Sequence, residues 1–186
     1  ELVFEDCAVP NFFPLRDKHM LLFASHWRGA QYDIGRYEEE RFYPERHGRM
    51  VWPGGCFLAP STILDDKGRL LMFAWMAENR MTDVQRASGW AGALTIPRVL
   101  TLGEDGDLRI DPVPELEVLR YSHRGRKNIS LSGGSELVLE EVRGDCLELA
   151  VEMRAGSAGQ FGVKVRCSPG GEEETRIFCD PAAGTL

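Results

Sequence analysis

Two acidic residues stand directly before an aromatic-rich segment near the start of the chain. Glu5 and Asp6 precede Cys7 and the sequence Pro-Asn-Phe-Phe-Pro-Leu at positions 10–15. A carboxyl group packed against apolar side chains has its charged form disfavoured, which raises its pKa and suits it to donate a proton. Glu5 and Asp6 are therefore candidate general acids. The residue types leave open the alternative of a solvated acidic turn.

Aromatic residues accumulate beside polar ones between positions 27 and 90. Aromatic rings stack on the C–H faces of sugars, while nearby Glu, Asp, Arg and His side chains can hydrogen-bond the hydroxyl groups. This pattern is compatible with a carbohydrate site, and equally with the core of a β-protein. The residues concerned are Trp27, Tyr32, Tyr37, Phe42, Tyr43, Trp52, Phe57, Trp75 and Trp90.

Several other chemistries have no support in the sequence. The five cysteines are widely spaced without a Cys-x-x-Cys pair, and the four histidines show no metal-ligand spacing, so we predict no metal and no cofactor. The nucleophile elbow, the P-loop and the glycine motif of dinucleotide-binding proteins are all absent from the sequence. The odd number of cysteines favours a reducing, cytoplasmic location only slightly.

The charge and the length of the apolar runs exclude two classes of partner. The chain of 186 residues has Lys+Arg 22 and Asp+Glu 29, a net charge of −7, and it lacks the clustered cations that nucleic acid requires. Its apolar runs, such as 20–24, are as long as a strand, whereas a membrane span needs roughly 18 to 20 residues. We expect neither a nucleic-acid partner nor a membrane.

Glycine and proline divide the sequence into short apolar runs. No window of about 12 residues shows helical periodicity free of Gly and Pro, so the pattern predicts an all-β chain. The apolar runs occupy 11–15, 20–24, 70–75, 93–96 and 99–102. Turn-forming sequences that are expected to close hairpins occupy 16–18, 65–68, 103–106 and 168–171.

The sequence pattern changes near residues 118–128. Beyond this point apolar and polar residues alternate, which is typical of sandwich strands with one face in the core. We place a first domain at 1–120, a linker at 121–128 and a second domain at 129–186. A second domain of this size would expose its apolar face and its strand edges, so we expect a fragment of a longer chain. The alternating runs are 135–140, 146–153 and 160–166.

An ordered set of short segments resembles glycoside hydrolase family 32, which contains the invertases, sucrose-6-phosphate hydrolases and fructanases. The most specific segment is Trp-Ala-Gly-Ala-Leu-Thr-Ile-Pro-Arg at 90–98, and the resemblance covers nearly the whole chain. In family order, the matching segments occupy 10–15, 31–37, 55–60, 68–76, 89–98 and 112–120.

The resemblance implies a five-bladed β-propeller joined to a C-terminal β-sandwich, of which this chain holds the last blades and the first part of the sandwich. The family cleaves terminal β-fructofuranosyl groups with retention, using an Asp nucleophile and a Glu acid/base. The chain lacks both the nucleophile motif, Trp-Met-Asn-Asp-Pro-Asn-Gly, and the Arg-Asp-Pro motif. We therefore expect the isolated chain to be inactive. A missing N-terminal propeller segment or another chain is expected to complete the fold.

The acid/base glutamate of the family lies in a Glu-Cys-Pro-Asp motif, which here has extra residues and ends in Asn11. By resemblance, Glu5 is the first candidate for the acid/base and Asp6 the second. Glutamate has the longer side chain and the higher reference pKa, and both properties favour proton donation.

The resemblance also implies a substrate-binding set with two departures from the family. Leu58 stands where the family often has a tyrosine, and Asn79 stands where it can have a sugar-contacting tryptophan. We expect a remodelled subsite in which Glu78 or Asn79 supplies polar contacts. The predicted substrate-binding residues are Trp52, Phe57, Trp75, Glu78 and Asn79.

The leading hypothesis is a retaining β-fructosidase that acts on a fructose-containing saccharide, whether sucrose, sucrose-6-phosphate or a fructan. Two alternatives remain open at this point. One is a carbohydrate-binding protein of the same fold that has lost catalysis, and the other is a fructosyltransferase.

Overall fold

The computed structural model describes residues 6–51 and 56–186. Glu5 and Trp52, two of the predicted site residues, lie outside the described residues. The chain divides into two compact units, Glu1–Leu116 and Glu117–Leu186. Among the described residues, no helix is long and apolar enough to span a membrane.

The first unit begins with a four-stranded antiparallel sheet in which each strand pairs with the next along the chain. The turn predicted at 16–18 connects its first two strands, and this prediction is confirmed. The strands are β1 (Ala8–Leu15), β2 (Lys18–Ser25), β3 (Gly29–Glu38) and β4 (Arg41–Arg49).

A second antiparallel sheet follows, with the order β5-β6-β8-β9 and with β7 paired to β6. The turns predicted at 65–68 and 103–106 close its hairpins, which confirms them. In the first of these turns the Asp65 carboxylate accepts the N–H groups of Lys67 and Arg69, at 3.0 and 2.7 Å, as aspartate commonly does in turns. The strands are β5 (Phe57–Leu64), β6 (Leu70–Met76), β7 (Ala93–Leu94), β8 (Arg98–Leu102) and β9 (Leu108–Pro112).

The hydrophobic core of this unit is formed by both sheets. Alternate residues of β2, Met20 and Leu22, are fully buried together with Met72 of β6 and Leu100 of β8. Asn11 of β1 also joins the two sheets: its amide nitrogen donates to the Pro60 carbonyl at 3.0 Å, and its oxygen accepts from the backbone N–H and the hydroxyl of Thr62. The sheets are therefore held to each other by apolar packing and by an amide bridge.

A short helix, α1 (Thr82–Ser88), interrupts the second sheet between β6 and β7. It ends at Gly89, whose φ of 75° is the left-handed conformation that commonly terminates helices. None of its residues is buried. The helix was not expected from the sequence, because a helix without a buried face shows no apolar periodicity. A 3-10 helix occupies Pro114–Leu119.

The second unit contains one antiparallel hairpin, formed by β10 (Phe161–Val165) and β11 (Thr175–Cys179). The strand predicted at 160–166 and the turn at 168–171 are thereby confirmed. The other two predicted strands, 135–140 and 146–153, are not strands in this structure. Alternation specifies which face of a run is apolar, but a strand also needs a neighbour that satisfies its backbone groups. Neither run has such a neighbour among the described residues.

Glu115 ties the end of the first unit to the hairpin of β5 and β6. Lys67 and Arg69 donate to its carboxylate at 2.6 and 2.8 Å, and these hydrogen bonds, led by that from Arg69, lower the pKa of Glu115 from 4.5 to about 2. A carboxyl group with a lowered pKa in the folded state stabilises the fold above its ordinary pKa. Its contribution to the free energy of unfolding is lost as the pH falls from 4.5 towards 2.

We therefore expect Glu115→Gln to lower the free energy of unfolding at pH 7, and to differ less from the wild type at pH 3. Urea unfolding at both values measures this. Glu104→Gln is the matched control, because Glu104 is exposed and forms no ion pair with any described residue. A Glu115→Gln deficit that is as large at pH 3 as at pH 7 would contradict the assignment.

Candidate active site

The predicted site residues that the structure describes lie at or near strand ends along one edge of the first unit. Gly29, at the start of β3, lies against Phe57 at the start of β5: a Cβ on Gly29 would be 3.6 Å from the Phe57 carbonyl oxygen. Antiparallel pairing brings the start of β1 and the end of β6 to the same edge. Asp6, which precedes β1, and Asn79, which follows β6, thus lie beside strand ends on the same edge.

Asp6 is fixed to the turn between β2 and β3. One carboxylate oxygen accepts the backbone N–H of His26 at 3.2 Å, and the other is hydrogen-bonded to Nδ1 of the same residue. The side-chain hydrogen bond from His26 is the main reason that the pKa of Asp6 lies below its ordinary value. A general acid requires the opposite shift, so the structure favours Asp6 as an ionised carboxylate.

Trp75 presents a half-exposed indole at the end of β6, with 47% of its surface accessible. Its ring nitrogen lies against Gly92: a Cβ on Gly92 would overlap Nε1 of Trp75. Gly92 also has a φ of 67°, in the left-handed region that favours glycine. A side chain at position 92 would therefore strain the backbone and displace the indole.

Glu78 uses both carboxylate oxygens for contacts within the protein. They accept Nε and Nη2 of Arg80, each at 2.7 Å, and one also accepts the Gly92 N–H at 2.9 Å. The ion pair with Arg80 is the main cause that lowers the pKa of Glu78. The Glu78 side chain is only 14% exposed, so little of it is available to a ligand.

Asn79 and Phe57 differ in their access to solvent. Asn79 is exposed, and its amide nitrogen donates to Sγ of Cys56 at 3.2 Å, while its oxygen accepts no hydrogen bond from the part of the chain that the structure describes. Phe57 is 5% exposed, belongs to the hydrophobic core and lies under the guanidinium group of Arg98. Its ring offers no face to a sugar in this structure, because the side chain is buried in the core although Phe57 lies at this edge.

Sequence reasoning did not single out His26, Arg80 or Gly92. His26 and Gly92 act through hydrogen bonds that only the chain's return to the edge brings about, and the sequence carries no periodic signal for them. Arg80 lies only two positions from Glu78, but the sequence does not show that their side chains pair. Two cavities, of about 240 and 440 Å³, lie elsewhere in the first unit and contain none of the predicted site residues. Within residues 6–51 and 56–186, no three His, Cys, Asp or Glu side chains form a group that could hold a metal ion.

Comparison with family models covers nearly the whole chain. Residues 6–112 match the model described as glycosyl hydrolases family 32 N-terminal domain, and residues 115–186 match the model described as glycosyl hydrolases family 32 C terminal. The chain belongs to glycosyl hydrolase family 32. The family predicted from the short motifs is thereby confirmed.

Relatives within family 32 are similar to this chain over part of their length. A sucrose-6-phosphate hydrolase of Staphylococcus xylosus is 33% identical over an aligned length of 169 residues, and the match covers 78% of this chain and 34% of the relative. A fructan 1-exohydrolase of Hordeum vulgare is 33% identical over an aligned length of 132 residues, and the match covers 66% of this chain and 22% of the relative. The chain thus spans about a third or less of the length of these relatives.

Solved family 32 structures share the fold. Fructan 1-exohydrolase IIa of Cichorium intybus is 26% identical, with a TM-score of 0.54 over 62% of this chain and 26% of that chain. A β-fructofuranosidase of Bombyx mori is 22% identical with a TM-score of 0.52 and supports the fold alone. The all-β fold class predicted from the sequence agrees with the strand-rich structure and with these family 32 neighbours.

Proposed function

We propose that the intact protein containing this chain is a family 32 β-fructosidase that hydrolyses a terminal β-fructofuranosyl bond of a fructose-containing saccharide. The observation that carries the proposal is the match of both family 32 models, in order, to residues 6–112 and 115–186. Relatives named sucrose-6-phosphate hydrolase and fructan 1-exohydrolase support the same class of substrate.

In this proposal the two sheets of the first unit are the last blades of a five-bladed propeller, and the second unit begins a β-sandwich. The proposed domain bounds are 1–120 and 129–186, with 121–128 as a linker. The division of the described chain after Leu116 into two compact units supports this organisation.

The proposed reaction is a double displacement with Glu5 as acid and then base. In the first step Glu5 gives its proton to the glycosidic oxygen. A carboxylate supplied from outside this chain attacks the anomeric carbon, and the bonding pair leaves with the protonated oxygen. In the second step water attacks the same carbon, Glu5 takes the proton from the water, and the nucleophile regains its charge. Retention requires the two carboxyl groups about 5 to 5.5 Å apart.

The environment of Asp6 argues against Asp6 as the proton donor, which leaves Glu5 as the first candidate. The hydrogen bonds from His26 hold Asp6 in its ionised form. A carboxylate that is held in its ionised form has no proton to give, so the proposal assigns the proton donor to Glu5.

The proposed sugar contacts are the exposed indole of Trp75 and the open oxygen of Asn79, with Trp52 as a further candidate. Trp75 offers a ring face for stacking and Asn79 an acceptor for a hydroxyl group. Phe57 is left out of this set because its side chain lies in the core. Glu78 is left out because its carboxylate oxygens already accept hydrogen bonds from Arg80 and Gly92.

Incubation of the intact protein with sucrose, sucrose-6-phosphate, 1-kestose, inulin and levan tests the function. We expect free fructose in proportion to substrate consumed, measured by anion-exchange chromatography. Longer fructosyl products would instead show a transferase. Calorimetric binding without turnover would show a carbohydrate-binding protein, which the altered acid/base segment with Asn11 leaves as the second candidate.

The 186-residue chain alone is expected to be inactive, because it lacks the nucleophile motif.

A further inference from the structure

We propose that Glu78 is a positioning residue that sets the orientation of Trp75 through the backbone N–H of Gly92, and that it does not touch the saccharide. This inference rests on the proposed function only for the role of Trp75 as a sugar contact. The positioning itself follows from contacts among the described residues.

Glu78 joins the two ends of the long segment between β6 and β7, which is called the excursion below. Between β6 and β7 the chain leaves the sheet for residues 77–92, which include α1. Glu78 lies at the beginning of this excursion and binds Gly92 at its end, with the N–H of Gly92 2.9 Å from the carboxylate. Because β7 is only two residues long, it provides little pairing of its own to hold Gly92.

Arg80 stabilises the interior of the same excursion through several contacts. Its guanidinium group lies 4.1 Å from the ring centre of Trp90 and donates to the Ser88 hydroxyl at 2.9 Å. The Arg80 carbonyl accepts from the Gln85 side chain at 2.6 Å. Glu78 holds this guanidinium by two hydrogen bonds of 2.7 Å, so one carboxylate fixes both the interior and the end of the excursion.

Gly92 lies very close to the side chain of Trp75. The backbone of Gly92 packs so tightly against the indole nitrogen that no Cβ could stand between them. A displacement of Gly92 would therefore change the room available to the indole. Glu78 is thus connected to Trp75 through Gly92. The Glu78 carboxylate accepts the Gly92 N–H, and the Gly92 backbone contacts the half-exposed ring of Trp75.

The test uses the intact protein labelled with 5-fluorotryptophan, in which the Trp75 signal is assigned by its loss in Trp75→Phe. We expect Glu78→Gln to shift or broaden the fluorine signal of Trp75, because the amide no longer pairs with Arg80 as the carboxylate does. Gly92→Ala is expected to move the same signal through direct overlap. Glu104→Gln is the matched control and should leave it unchanged. If Gly92→Ala fails to fold, Glu78→Gln alone decides the result.

Kinetics provide the second measurement. Glu78→Gln is expected to raise KM for the saccharide about three- to tenfold, the range of a lost aromatic contact, with kcat changed less than about twofold. The double variant with Trp75→Phe should have the KM of Trp75→Phe alone, since Glu78 acts through the ring. An unchanged fluorine signal in Glu78→Gln, or additive effects on KM in the double variant, would overturn the proposal. Absence of turnover in the wild type would instead refute the proposed function, and the fluorine signal would still decide the positioning role.

Discussion

Glu5→Gln is expected to reduce kcat of the intact protein on an unactivated β-fructofuranoside by about 10²- to 10⁴-fold, the usual contribution of a general acid/base. The amide has no proton of suitable acidity to give to the leaving oxygen. The reduction should be smaller in the first step for an aryl β-fructofuranoside, because a phenolate leaves without protonation. Steady-state and single-turnover kinetics on the two substrates measure the difference.

Asp6→Asn is the control for this prediction. We expect it to lower kcat less than Glu5→Gln, because in the structure Asp6 is an ionised partner of His26. Unchanged turnover in Glu5→Gln together with a large loss in Asp6→Asn would move the acid/base assignment by one residue.

Leu22→Ala is expected to lower the free energy of unfolding by about 2 to 5 kcal/mol. Leu22 is 0% exposed and belongs to the core that both sheets form. Truncation there removes apolar contacts and leaves a cavity that rigid sheets cannot fill. Denaturant unfolding of the intact protein, with the slope checked for two-state behaviour, provides the measurement.

Leu64→Ala is the matched control, because Leu64 lies at the end of β5 and is 67% exposed. Its effect should stay within about 0.5 kcal/mol. Equal losses for the two variants would mean that the first unit has no shared core between its sheets.

The strands and turns with a strong local signal could be predicted from the sequence. Hairpins form where Asp, Gly and Pro end short apolar runs, because these residues set the backbone conformation of a turn locally. β4 carried little signal of this kind. It lies at the end of its sheet, is mostly exposed, and contains Pro44, which a strand tolerates where few ladder hydrogen bonds are required. The helix α1 escaped prediction for the related reason that it buries no face.

The candidate site could likewise be predicted only in part from the sequence. Its family could be inferred from short motifs, because the chemistry of the family restricts the residue types, whereas the roles of Glu5 and Asp6 stay predictions. The role of Glu78 could not be inferred, since its partner Gly92 lies 14 positions away and meets it only after the chain has turned through α1. Phe57 was expected to bind substrate on its residue type, whereas its place in the core follows from the alternation of β5 against β6.

Rescue of Glu5→Ala by azide in the intact protein tests the central claim most directly. Azide attacks as an anion and needs no base, so it can replace the water that Glu5 would activate in the second step. With an activated aryl β-fructofuranoside, we expect azide to restore turnover of Glu5→Ala and to yield the β-fructofuranosyl azide. No such rescue is expected for Asp6→Ala. An azide effect on Asp6→Ala but not on Glu5→Ala, or a product of inverted configuration, would contradict the account.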